Sequence, residues 1–200
     1  MEGVRNDLLE HWFGSSDDDA AVARQQSELW WGRSPDTDER LATDFGRLAS
    51  AAAGGVLDHW TGSPRGRLAL ILLLDQLPRA IHRGTPMAFA QDAKALRVAE
   101  QGLSSGADRL LRPIERVFVY LPFEHSEELA HQERSVELFG ELAGSVPEAW
   151  RETFEGFLDF AVRHRDIIAR FGRFPHRNEV LGRSSTPEEL EFLEEPGSRF

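Results

Sequence analysis

The chain contains no cysteine, which removes disulfides, thiolate nucleophiles and cysteine-ligated metals from consideration. Long apolar runs are missing as well. The longest, Leu68 to Leu74, covers seven residues, against the roughly 20 that a membrane-spanning helix needs. The opening MEGVRNDLLE has neither the basic region nor the apolar stretch of a secretory signal. A cytoplasmic protein with no membrane partner is the expectation. Lys94 is the single lysine, so the cationic side chains are almost all arginine. A formal net charge of −11 argues against nucleic acid as a partner, because that binding is driven mainly by phosphate neutralisation. No Gly-rich phosphate loop, G-x-S-x-G elbow or HExxH word occurs. Glu128 and His131 have the Glu-x-x-His spacing of di-iron bundles, but no second such pair exists. No metal and no cofactor are expected.

What the chain does have is helix signals. Asp17 to Asp19, Ser34-Pro35, Ser63-Pro64, Thr85-Pro86, Pro113, Ser126, Pro147 and Thr186-Pro187 each resemble a helix start. Gly54-Gly55, Gly102, Ala143, Gly172 and Pro196 mark ends, and Pro122 an interruption. Hairpin signals and low-complexity linkers are absent. The expectation is an all-α, multi-helix domain of about eight helices, residues 1–200 forming a single helical domain. The helix from Pro64 has no polar face across Leu68 to Leu74 and should be the surrounded, central one. Asp75 follows directly, and a buried carboxylate needs a cationic partner; Arg79, one turn on, is a candidate. Pro78 should kink or end the helix.

The most informative stretch is HRDIIARFGRFPHRN, His164 to Asn178. Trp150, Phe154, Phe157, Ala161, His164, Ile168 and Phe171 recur at steps of four and three, one face of a helix. His164 thus stands in an apolar stripe, where a polar group must be partnered. Residues 163–183 hold six arginines against Asp166 and Glu179, a local excess of positive charge within an acidic chain. Asp159 and Asp166 stand four residues before Arg163 and Arg170, a favourable surface-pair order. Arg165, Arg173 and Arg177 lack such a local partner, and Arg recognises carboxylate or phosphate through a planar fork.

Several long words together resemble those of the bacterial domain-of-unknown-function 924 family. They are LDQLPRA at Leu74–Ala80, LPFEHSEE at Leu121–Glu128, QERSVELF at Gln132–Phe139, the His164–Asn178 stretch, LGRSSTPEE at Leu181–Glu189 and the terminal EPGSRF. The resemblance implies an all-α, tetratricopeptide-like fold and brings no reaction or catalytic residues with it.

The residues themselves suggest a small anionic ligand, or the acidic end of a peptide chain, bound in an internal pocket. Arg165, Arg173 and Arg177 would hold the anion; His125, His164, His176, Gln132 and Asn178 would orient it. One alternative is a metal-independent hydrolase or lyase in the same pocket, with Glu124 or Asp75 as general base and His125 or His164 as acid. Another is a protein-interaction scaffold whose polar core serves only specificity. For Ser126 and Glu127 an N-terminal cap of the following helix is the simpler reading.

Overall fold

The computed structural model describes residues 2 to 198; Met1, Arg199 and Phe200, the last two closing the EPGSRF word, lie outside them. Among the described residues there are nine helices and no strand. They are α1 (Glu2–Phe13), α2 (Asp19–Trp31), α3 (Pro35–Ala53), α4 (64–81), α5 (Asp92–Ser104), α6 (Pro113–Glu124), α7 (Leu129–Ser145), α8 (Arg151–Phe171) and α9 (Pro187–Phe192). Helix α1 has no start signal of the Ser-Pro kind and is not foreseen from the sequence. Tertiary burial identifies it: Leu8, Leu9, Trp12 and Phe13 form one face and are all within the core.

The caps explain most of the boundaries. Asp18, Ser34, Ser63 and Thr186 each accept a backbone N–H of the first turn through the side chain, satisfying donors that a helix end otherwise leaves open. Gly172 ends α8 at a φ of +67°, a left-handed conformation for which glycine carries no Cβ penalty. Several boundaries differ from expectation. Helix α7 starts at Leu129 rather than Ser126, and α8 starts at Arg151, after a 3-10 turn, Glu148–Trp150, rather than at Pro147. Thr85-Pro86 opens only the 3-10 turn Pro86–Ala88, and α5 waits until Asp92. Pro122 does not interrupt α6: it lies in the last turn, and His125 N–H still closes on the Leu121 carbonyl at 2.9 Å. Helix α9 ends at Phe192, before Pro196.

Helix α4 is the centre. Leu68 to Leu74 and Leu77 are wholly buried, with α1, α3, α5 and α6 packed around the helix. It does not end at Pro78. It widens into a π segment, Leu72–Gln76, in which Leu77 N–H reaches back five residues to the Leu72 carbonyl, and then resumes as Leu77–Ile81. Proline has no N–H and its ring crowds the carbonyl four residues before it; one wide turn absorbs both effects. Such π segments recur at functional sites, and this one carries Asp75 and Gln76. Helices α7 and α8 pack along each other, and α6 touches both. The end of α8 and the turn after it thereby face the C-terminal end of α6. No helix of the described residues is long and apolar enough to cross a membrane.

Candidate functional site

The Asp75 carboxyl is fully buried. His125 Nδ1 lies 2.8 Å from its Oδ1, the Gln76 amide donates to Oδ2, and Arg79 approaches Oδ1 at 3.3 Å. Burial alone would raise the Asp75 pKa, but Arg79 and His125 hold it well below the usual carboxylate range. His125 is lowered as well, mainly by desolvation and by the charge of Arg79. At neutral pH it is therefore a neutral imidazole whose Nδ1–H donates to Asp75. Its Nε2 makes no hydrogen bond among the described residues. An Asp-oriented histidine of this kind leaves the outer nitrogen free to act as a base.

Arg79 also takes Asp92 in a fork at 3.0 Å on both oxygens, and donates to the Asp75 backbone carbonyl. Its partnership with Asp75 agrees with the sequence reading. Asp92, thirteen residues further on at the first turn of α5, carries no sequence signal that would pair it with Arg79.

Glu124, the residue before His125, is buried with 4% exposure. Its Oε1 lies 3.2 Å from His164 Nδ1, which also donates to the Phe160 carbonyl at 2.8 Å. Desolvation, reinforced by the negative charge of Asp75, pushes Glu124 up to about 8. Desolvation takes His164 down to about 3. The pair is therefore a protonated carboxyl beside a neutral imidazole, not an ion pair. The stripe on α8 did place His164 inside, at 5% exposure, with its ring 6.4 Å from that of His125.

Arg177 closes the cluster. It is 6% exposed, and its guanidinium carbon lies 4.5 Å from the Phe174 ring and 4.7 Å from the Phe89 ring. NH1 donates to the His125 carbonyl at 3.1 Å and reaches Asp92 only at 3.5 Å. Nε, fully buried, has no hydrogen-bond partner among the described residues, and NH2 donates to none of them. Desolvation, with Arg79 close by, lowers Arg177 to about 10. His176, beside it, is also pushed down, to about 3, mainly by burial.

The remaining candidates are placed elsewhere. Arg173 forks onto Glu189 at 2.6 and 2.8 Å and donates to the Ser184 carbonyl. Asn178 donates to Ser185 and Glu189 and accepts from Arg183. Gln132 spends its amide on the carbonyls of Phe123, Glu124 and Ser126, tying the end of α6 to α7. Arg165 is paired with its neighbour Asp166 at 2.7 Å. Asp166 is thus not the partner of Arg170, which binds Glu188 instead; Arg163 does pair with Asp159. Glu127 is not a helix-dipole residue: it forks onto Arg183 and accepts the Phe174 N–H. Ser126 likewise lies outside the cap position, accepting from Glu128 N–H and contacting His131. Arg173, Arg183, Asn178, Glu127 and Glu189 thus form a polar lattice that holds the 172–186 turn.

That lattice predicts a structural effect at Arg173. Glu189 is pushed down to about 2, above all by its hydrogen bonds from Arg173. A depressed carboxylate contributes stability above its unfolded pKa and loses it as pH falls through the folded value. Arg173→Ala is expected to lower the urea midpoint clearly at pH 7, with the gap to wild type narrowing toward pH 2. An equal midpoint at pH 7 would contradict the lattice.

A groove of about 550 Å³ runs between α3 and α4, past Leu73, Pro78, Ile81 and Met87, and a shallower one of about 530 Å³ lies on α3. Neither is lined by a residue of the cluster. The cluster meets the surface only at its rim, where the side chains of Arg79, Asp92 and His125 are 21%, 18% and 13% exposed.

Comparison with known proteins agrees with this architecture. The protein of unknown function ATU0120 from Agrobacterium tumefaciens, a solved structure, is similar over 96% of this chain and 98% of its own, with a TM-score of 0.82 and 35% identity. No curated protein matches the chain. A family model described as bacterial protein of unknown function, DUF924, matches residues 8–197. The chain belongs to the DUF924 family.

Proposed function

We propose that the protein is a cytoplasmic helical domain that binds a small anionic ligand at the cluster of Arg177, His125, His164 and Glu124. The observation that carries this reading is Arg177. Arg79, Arg173 and Arg183 each hold a carboxylate in a two-bond fork, whereas Arg177 is buried with a distant carboxylate and an Nε that has no partner among the described residues. A buried cation without a good partner is costly, and an anionic ligand would supply the missing acceptor. The tetratricopeptide-like reading of the fold draws support from the paired helices α7 and α8. The scaffold alternative is supported by the closed pairs around Glu189 and Glu127, but it leaves Arg177 unexplained.

Thermal denaturation with a panel of carboxylate-, phosphate- and sulfate-bearing metabolites tests the proposal. A ligand that binds only the folded state stabilises it by about 2.7 kcal/mol at 100 times its Kd. The melting temperature is expected to rise with at least one anion class. Arg177→Ala should remove the rise, and Arg165→Ala and Arg163→Ala should keep it. A rise that survives Arg177→Ala would sink the site.

Acid–base catalysis on that ligand is the second reading, favoured by the adjacency of a protonated Glu124 and an Asp75-oriented His125. Opposed environments of this sort separate an acid from a base. The roles differ from those the sequence suggests. Asp75, held by three partners, orients rather than abstracts; Glu124 would be the acid and His125, through Nε2, the base.

A further inference from the structure

Arg177 also constrains the chemistry of what it would hold. All five N–H bonds of a guanidinium lie in its plane. The ring faces of Phe89 and Phe174 lie against the group, and its NH1 end is occupied by the His125 carbonyl and by Asp92. The edge that remains is the side-on one, Nε with NH2. It offers two parallel donors at a spacing that matches two oxygens on one carbon or phosphorus. Charge and polarity then discriminate between those two.

The ionised groups around the edge already balance, Arg79 and Arg177 against Asp75 and Asp92, and Glu124 is neutral. A dianion would meet two fixed carboxylates at short range. A monoanion brings half that charge against the same two carboxylates, and its one carboxylate is what the free edge of Arg177 can fork. The wall beside it is two phenylalanine rings, which favours a hydrocarbon body over a hydrated phosphate.

We infer that the ligand is a small monocarboxylic acid with an apolar or aromatic body, its carboxylate forked on Nε and NH2 of Arg177 and its body against Phe89 and Phe174. This inference rests on the proposed anion-binding function and narrows its substrate class.

The full-length protein labelled with ¹⁵N allows the test, by following the arginine Nε–H correlations during titration. Arg177→Lys, which lacks the signal, assigns the Arg177 peak. Benzoate should move that peak saturably, and more tightly than acetate because only benzoate has a body to pack. Inorganic phosphate should leave the peak in place. Arg177→Lys should weaken benzoate binding at least tenfold, since an ammonium cannot reproduce the fork. If that variant fails to fold, Phe89→Leu should still weaken benzoate severalfold while leaving acetate nearly unchanged. A peak moved by phosphate and not by benzoate would overturn the carboxylate assignment while keeping the anion site. A peak that neither benzoate, acetate nor phosphate moves would overturn both.

Discussion

Asp75→Ala should unfold at far lower denaturant than the wild type, with a loss of about 3–5 kcal/mol, the usual cost of removing one partner of a buried ion pair. The carboxyl is completely buried and receives His125 Nδ1, the Gln76 amide and Arg79. Removing it leaves three donors without their acceptor, on Gln76 and His125, which are largely buried, and on the half-buried Arg79. Arg79 keeps its fork on Asp92, so the loss falls mainly on His125 and Gln76. Asp75→Asn retains the shape and one acceptor oxygen and should lose less than Asp75→Ala. Urea denaturation of the three proteins at pH 7 decides the matter. An unchanged midpoint for Asp75→Ala would mean that the cluster contributes nothing to stability.

Glu124→Gln has the opposite sign in alkaline solution. Burial raises the folded-state pKa of Glu124 to about 8, above its value in the unfolded chain. The folded state therefore holds more protons than the unfolded state between the ordinary carboxylate range and pH 8. In that window stability falls as pH rises, by about 1.4 kcal/mol per pH unit for one such proton. The full contribution is present below the unfolded pKa and is gone above pH 8. Glutamine imitates the protonated carboxyl and never ionises, so the variant should lack this slope and be the more stable protein at pH 8. Its advantage should vanish near pH 4. Denaturation midpoints of both proteins from pH 4 to 9 test this, and parallel curves would show that Glu124 ionises normally. The same titration bears on the acid–base reading, which needs Glu124 to carry a proton at pH 7.

The sequence was legible wherever one local rule acted alone. Serine or threonine before proline marked the helix starts at Ser34, Ser63 and Thr186, because the hydroxyl caps the first turn and proline lacks the N–H that would otherwise need a partner. The apolar run ending at Leu74 marked the central helix and the burial of Asp75, since no polar face remained to turn outward. The stripe from Trp150 to Phe171 placed His164 inside. Local rules were less informative where two forces competed. Pro78 and Pro122 both look like helix breakers, yet one is absorbed by a π turn and the other by the last turn of α6. In both places the helix carries buried apolar side chains whose packing outweighs a lost hydrogen bond. Helix α1 shows the converse, a segment with no start signal whose helix is secured by burying Leu8, Leu9, Trp12 and Phe13.

By itself, then, the chain's sequence determined an all-helical architecture, its central helix and the burial of Asp75 and His164, because periodicity and capping act over a few residues. The sorting of Arg173 and Arg177 was decided by tertiary structure alone. Arg165, Arg173 and Arg177 look equivalent along the chain, each without a carboxylate at helical spacing. Glu189, sixteen residues beyond Arg173, takes that one, and Asp166 takes Arg165. Asp92, at the start of α5, is drawn to Arg79 and leaves Arg177 against two phenylalanine rings. Charge pairing across such separations depends on where whole helices pack, so it emerges only after the core has brought α4, α5, α6 and the turn beyond α8 together.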